Sequence, residues 1–167
     1  MRKSILTFAI TLISLLSIST NTFASPSEVN NCNLKKFQVV QNLYLYINSS
    51  KFSNPQIKDF KAFFNPKIKM TTNNIVVATG YNQFKEHFIM LNKNIKGIYA
   101  SNFNYLYQNT HKLVLKYQIN GKDQSNSEFN TREIVSFDFD NKCQIDNWDQ
   151  VAITNKPFDI NKLKVKN

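Results

Sequence analysis

Two segments of the chain carry apolar residues at steps of three and four, the spacing of one face of an α-helix. The first apolar stripe covers 34–47 and the second covers 81–95. A shorter stripe over 55–64 predicts another helix between them, which the Asn-Pro pair at 65–66 ends because proline disfavours helical backbone in the preceding residue. We therefore predict three helices, with the third as the most regular.

Apolar residues of the later part of the chain alternate with polar ones, which predicts half-buried β-strands, and two short strands are predicted on either side of the pair at 73–74. The predicted strands are 67–72, 75–79, 103–107, 113–119, 135–139 and 144–153. Asn-rich or Gly-containing pairs at 73–74 and 120–121 predict tight turns, and 140–142 predicts another. Helix, helix, two strands, helix and four longer strands form an α+β domain with its helices on one side of a sheet.

The first 24 residues have the pattern of a secretory signal peptide. Arg2 and Lys3 precede an uncharged apolar run over 5–19, and the small residues Thr22 and Ala24 suit cleavage after Ala24. The run is shorter than the roughly 20 residues of a membrane span, although an anchoring helix is the alternative. We predict a cleaved signal (1–24), a domain over 25–154 and a lysine-rich tail (155–167). The mature protein would be periplasmic or secreted, with no stable membrane insertion.

The charge pattern does not indicate a nucleic-acid protein. The formal net charge is +10, but Arg2 and Arg132 are the only arginines, and the lysines are scattered along the chain. Nucleic-acid sites favour clustered arginine for its two-pronged contacts. We predict no nucleic-acid partner, while a weak attraction to anionic surfaces or acidic proteins stays open. The abundance of Asn, Lys, Ile and Phe is typical of an AT-rich genome, and we predict a bacterial source.

Two cysteines, Cys32 and Cys143, would remain after cleavage. An even number in an oxidising compartment favours a disulfide, with two free thiols as the alternative. His87 and His111 do not have the spacing of metal ligands. The acidic residues of 138–149 resemble a calcium loop only in part, because a lysine and a cysteine occupy two of its key positions. We predict no metal and no cofactor.

Three segments together carry a resemblance to a known superfamily. They are FFNPKIKM at 63–70, GYNQF at 80–84 and FDFDNKCQIDNWD at 137–149. In this order and spacing, over about 34–152, the chain resembles the NTF2-like superfamily and its SnoaL-like proteins. The resemblance implies a cone: a strongly curved, mostly antiparallel sheet wrapped around N-terminal helices, with an apolar pocket. It also implies a homodimer through the sheet.

The resemblance implies that this chain lacks the catalytic residues of one enzymatic branch of the superfamily. The tyrosine of the ketosteroid-isomerase-like enzymes falls on Leu43, with the neighbouring Tyr44 expected to point elsewhere, and their first-strand acid falls on Thr71 or Thr72. Neither replacement can perform the proton transfer. Cys143 stands where glycine is usual, which favours a turn shifted onto Asn141 and a cysteine bridged to Cys32.

The remaining candidates are pocket residues. The predicted ligand-binding side chains are Leu43, Met70, Thr72, Phe88, Tyr105, Tyr117 and Trp148. Packing of the sheet is the alternative role for the aromatic ones. Asp149 and His87 are the candidate acid–base residues, with a rim ion pair and a core-edge hydrogen bond as their alternatives.

Three functions are therefore open. The first is an exported pocket protein that binds a small apolar or amphipathic molecule, or a protein partner, without catalysis. The second is an isomerase, dehydratase or hydrolase that uses Asp149 or His87. The third is an interaction protein with a basic surface.

Overall fold

Residues 28–154 are the part of the chain that the structure, a computed structural model, describes. The predicted signal peptide (1–24) and the predicted tail (155–167) lie outside the described residues, and both stay predictions.

The helices are α1 (Glu28–Ile47), α2 (Ile57–Phe60) and α3 (Gly80–Asn94), with a 3-10 turn at Ser50–Ser53. The strands are β1 (Phe64–Thr72), β2 (Ile75–Thr79), β3 (Lys96–Gln108), β4 (Lys112–Lys122), β5 (Glu128–Phe139) and β6 (Ile145–Thr154). The predicted order of helices and strands is confirmed. None of the helices within 28–154 combines the length and the apolar character needed to cross a membrane.

The six strands form one sheet in the order β2-β1-β6-β5-β4-β3. Neighbouring strands are antiparallel except for β1 and β6, the first strand and the last, which run parallel. The helices pack against the inner face of this sheet, which confirms the predicted α+β cone.

Aromatic rings fill the space between α3 and the sheet. Phe84 and Phe88 of α3 are buried, and each has its ring centroid 6.3–6.5 Å from that of Trp148 on β6. Phe60 and Phe64 are fully buried beside them. Each such ring contributes about 2–3 kcal/mol through the apolar surface that it removes from water. This cluster fixes α3 over the inner face and so determines the position of the cavity described below.

The predicted second helix over 55–64 is too long. Helix α2 ends at Phe60, and Phe64 already belongs to β1, where it pairs with Ile145 of β6. The backbone N–H of Ile145 also donates to the carbonyl of Phe63. Pairing with the last strand, which local apolar spacing cannot show, extends β1 at the expense of the helix.

The turn predicted at 120–121 is also wrong, because β4 continues through both residues to Lys122. Gly121 pairs with Phe129, and the chain turns only after Lys122, where the Asp123 carboxylate accepts backbone hydrogen bonds from Ser125 and Ser127. A Cβ at Gly121 would lie 2.6 Å from Cγ2 of Ile95. The glycine therefore permits a close approach inside the sheet rather than a turn.

Cys32 of α1 and Cys143 of the β5–β6 turn form a disulfide, with their Cα atoms 5.6 Å apart. Both cysteines are buried, so the predicted bridge is confirmed and joins the first helix to the last hairpin. Cys143 itself has the positive φ, at 61°. The expected shift of that geometry onto Asn141 is therefore wrong, and this cysteine takes a left-handed conformation while it forms the bridge.

Candidate functional site

A cavity of about 70 Å³, partly open to solvent, lies between the inner face of the sheet and the C-terminal half of α3. The end of α1 and the 3-10 turn complete its wall. Most of the lining side chains are apolar, which is usual for a small-molecule site. They include Ile47, Phe52, Met70, Phe88, Leu91, Ile95, Ile98, Ile119, Phe129, Trp148 and Ala152. The polar lining side chains are Thr72, His87, Tyr117, Thr131, Glu133 and Gln150.

Strand β5 places two polar side chains on the cavity wall. Its inward positions alternate strictly, and they hold Phe129, Thr131, Glu133, Val135 and Phe137. Successive side chains of a strand point to opposite faces, so the strand that packs Val135 and Phe137 into the core must also direct Thr131 and Glu133 inward. The polar pair lines the cavity, whereas Val135 and Phe137 do not.

Glu133 is the carboxyl group that lines the cavity. Its side chain is only 8% exposed. Burial raises the pKa of its carboxyl group from 4.5 to about 7, against the opposing effect of a hydrogen bond from the Tyr117 hydroxyl. Desolvation penalises the charged form of an acid, which explains the direction of the shift. Near neutral pH, Glu133 therefore exists in both protonation states and can either accept or donate a proton.

Two further buried hydroxyl groups lie in the interior with this acid, and one of them, that of Tyr44, interacts with Tyr117. They are the Tyr44 hydroxyl of α1 and the Thr131 hydroxyl of β5. The ring of Tyr44 lies 4.9 Å from that of Tyr117, centroid to centroid. Burial raises the pKa values of both tyrosines well above their usual value. Both phenols therefore stay protonated and serve as hydrogen-bond donors. Tyr44 is not among the side chains that line the cavity, and the expectation that it does not take the place of the catalytic tyrosine stays a prediction.

A chain of hydrogen bonds fixes the wall formed by the neighbouring strands β6 and β1. The Trp148 indole N–H donates to Oε1 of Gln150 at 2.7 Å, and Nε2 of Gln150 donates to Oγ1 of Thr72 at 3.1 Å. The indole can only donate, so it determines the orientation of the Gln150 amide. Thr72 then accepts from that amide, which leaves its own hydroxyl hydrogen for another acceptor.

The structure brings together five of the seven predicted pocket side chains. Met70, Thr72, Phe88, Tyr117 and Trp148 line the cavity. Leu43 is buried in the core but does not line it, and Tyr105 is 50% exposed and packs edge-on against Phe37. Whether the lining residues bind a ligand stays a prediction.

The two predicted acid–base residues lie in different places. His87 is 2% exposed and lines the cavity, with its ring centroid 5.6 Å from that of Phe88. Asp149 is exposed on the outer face of β6, between the inward Trp148 and Gln150. Strand alternation places Asp149 outside the cavity, so it has no contact there through which it could act as acid or base.

Sequence reasoning missed Glu133. Its signal was available, since Val135, Phe137 and Phe139 define the inward phase of β5, and two steps of the same period back from Val135 give Glu133 and Thr131. A carboxylate in an inward position of a predicted strand is a sign of a site. Within 28–154, no group of three or more His, Cys, Asp or Glu residues is arranged to hold a metal ion.

No protein-family model matches the chain, and no curated protein matches its sequence. Solved structures do match its fold. A polyketide cyclase-like protein from Xanthomonas campestris pv. campestris has a TM-score of 0.61 at 13% identity, over 72% of this chain and 91% of that one. A SnoaL-like polyketide cyclase-like protein from Jannaschia sp. CCS1 has a TM-score of 0.57 at 11% identity, over 73% and 86%.

A third match is a ketosteroid isomerase-like fold from Catenulispora acidiphila, solved with trimethylamine, with a TM-score of 0.57 at 10% identity over 68% of this chain and 83% of that one. At such low sequence identities the matches show that the fold is shared, and they do not assign the ligands or reactions of these proteins to this chain. Together with the curved six-stranded sheet and its inner cavity, they show that residues 28–154 have the SnoaL-like, NTF2-like fold.

Proposed function

We propose that this is an exported pocket protein that binds one small, mostly apolar or amphipathic molecule in the cavity, without converting it. The observation that carries the proposal is the lining: an apolar wall with a few convergent polar groups, of which Glu133 is the most buried acid. That combination is the usual design of a binding site, in which apolar area supplies affinity and polar groups fix orientation.

Export is part of the proposal. It rests on the signal-peptide pattern over 1–24 and agrees with the buried disulfide between Cys32 and Cys143, because disulfides persist in oxidising compartments. We also propose that two copies pair through the outer face of the sheet. Ile134, Val151 and Ile153 are 47%, 53% and 66% exposed there, and Ile134 pairs directly with Val151.

Native mass spectrometry of the protein purified after export tests the binding proposal. We expect a mass adduct that disappears on denaturation, together with loss of residues 1–24 and the two hydrogens of a disulfide. Leu91 lines the cavity, whereas Ile89 is 41% exposed on the same helix and lies outside the lining. Leu91→Trp should lose the adduct, and the matched Ile89→Trp should keep it. Retention of the adduct by Leu91→Trp would contradict binding in this cavity.

A second candidate function is acid–base catalysis, and the pKa of about 7 at Glu133 favours it. A group with a pKa near the working pH is the most effective proton donor or acceptor. The test is conversion of the retained ligand. An enzyme would convert it in the wild type and in Asp149→Asn, which changes an exposed acid, but not in Glu133→Gln. No conversion by any of the three proteins would leave binding as the function.

A further inference from the structure

The charges inside the cavity are unbalanced. Glu133 is the only carboxyl group among the lining side chains, and none of those side chains is a lysine or an arginine. The lysines and Arg132 of the described domain lie elsewhere. Tyr117 gives Glu133 a hydrogen bond but no positive charge. A buried carboxylate without a lysine or arginine beside it is costly, and a bound cation would reduce that cost.

Aromatic rings surround the same space. Phe52, Phe88, Tyr117, Phe129 and Trp148 all line the cavity, and they come from the 3-10 turn, α3, β4, β5 and β6. The faces of such rings attract cations, most strongly when water is excluded. Several rings around one carboxylate form a site whose electrostatics favour an organic cation over an anion of the same shape.

The volume limits the size of the cation. The cavity measures about 70 Å³, whereas a dry cavity of about 150 Å³ holds a benzene molecule. Only a compact group of a few heavy atoms fits, so any longer part of the ligand must extend through the opening.

We propose that the cavity binds the head group of a small alkylammonium ion, with the Glu133 carboxylate as its counter-ion and the aromatic rings around its alkyl groups. This inference rests on the proposed pocket function and names its ligand class.

Ligand binding should then depend on the protonation of Glu133. The titratable groups that face it are Tyr117 of β4, Tyr44 of α1 and His87 of α3, while β6 contributes the neutral Trp148 and Gln150. Both tyrosines stay neutral at physiological pH. A protonated His87 would repel the ligand and so would change affinity in the same direction as protonation of Glu133. The histidine therefore needs a variant of its own.

The probes are ethylammonium and its uncharged isostere ethanol, measured by isothermal titration calorimetry on the mature, disulfide-bonded protein. We expect ethylammonium to bind at least tenfold more tightly than the isostere at pH 8. From pH 6 to pH 8 the affinity for ethylammonium should rise about tenfold, because the ionised fraction of a group with a pKa of about 7 rises by that factor. The affinity for the isostere should not change.

Three variants test whether Glu133 causes this preference and its pH dependence. Glu133→Gln should bind ethylammonium no better than the isostere, and Glu128→Gln, an exposed acid at the start of the same strand, should behave as the wild type. His87→Gln should keep the rise with pH. Circular dichroism checks that each variant is folded.

Equal, pH-independent affinity for the two probes would overturn the ammonium proposal and leave the pocket intact. Absence of binding by both probes would also overturn it, and absence of any adduct in native mass spectrometry would then remove the pocket function as well.

Discussion

At Glu133, folding transfers a carboxyl group from water to the wall of an apolar cavity, and the free-energy cost depends on whether the group carries a proton. Phe129, Val135 and Phe137 share its side of β5, and the Tyr117 hydroxyl is its hydrogen-bond donor. One hydrogen bond replaces only part of the hydration of a carboxylate. The residue is therefore a source of instability in the empty protein at neutral pH, as expected of a group placed for binding or chemistry.

The free-energy cost of burying Glu133 depends on pH. Burial raises the pKa of the Glu133 carboxyl group from 4.5 to about 7, so between these values the folded protein holds a proton that the unfolded chain has lost. The free energy of unfolding should fall as the pH rises through this window, by up to about 3 kcal/mol, and the loss persists above pH 7. Glu133→Gln removes it. Urea unfolding should show the variant equal to the wild type near pH 4.5 and more stable at pH 8.

The matched control is Glu128→Gln, at an exposed position of the same strand. It should follow the wild type at every pH. A stability difference between Glu133→Gln and the wild type that stays constant from pH 4.5 to pH 8 would contradict the proton linkage.

At the scale of elements, the disulfide is the strongest single constraint on the chain. Cys32 and Cys143 are separated by 111 positions, so the bridge closes almost the whole described domain into one loop. It holds the beginning of α1 against the β5–β6 turn, where Cys143 has a backbone conformation that favours glycine. Loss of the bridge should act mainly through the unfolded chain, which gains freedom.

We expect Cys32→Ser and Cys143→Ser each to lower the free energy of unfolding by about 4–5 kcal/mol, the loop-closure term for a loop of this length. The double variant should cost no more than either single one, because the same cross-link is lost each time. Urea unfolding of the oxidised proteins measures this, with reduced wild type as a further reference. A double variant that costs the sum of the two would show that packing at each cysteine carries the effect.

How far the sequence predicts the structure depends on what fixes each element. The turn pair at 73–74 and Gly80 bound β2, which is predicted to the residue, and β6 is predicted to within one residue at each end. The ends of α2 and β1 could not be predicted, since pairing between Phe64 and the distant Ile145 decides them. The inward direction of the Glu133 side chain could be predicted from the alternation of β5. A search for alternating apolar residues alone overlooks an acid at a buried position.

For the whole molecule, the outer face of the sheet carries an exposed apolar surface whose role the cavity does not explain. Ile134, Val151 and Ile153 form a contiguous exposed group across β5 and β6. Apolar groups of this kind on a rigid sheet commonly mark an interface. The cavity lies on the opposite face, so pairing through the outer face would leave it accessible.

The proposed pairing predicts that Val151→Lys converts a dimer into a monomer, because it would place a charge in the centre of the interface. Leu45→Lys is the matched control, since Leu45 is 62% exposed on α1, away from the sheet. Sedimentation velocity should show a dimer for the wild type and for Leu45→Lys. A monomeric wild type, or a dimeric Val151→Lys variant, would refute the interface.

The parallel pairing of β1 with β6 determines when, during synthesis of the chain, the cavity can form. A chain that emerges from its N-terminus forms β1 and β2 first, but β1 lacks its second neighbour until the last strand has emerged. The cavity needs both strands, since Thr72 comes from β1 and its partner Gln150 from β6. A chain that has not yet formed β6 therefore lacks the complete cavity, and under the proposed function a bound ligand would mark a molecule in which both strands are in place.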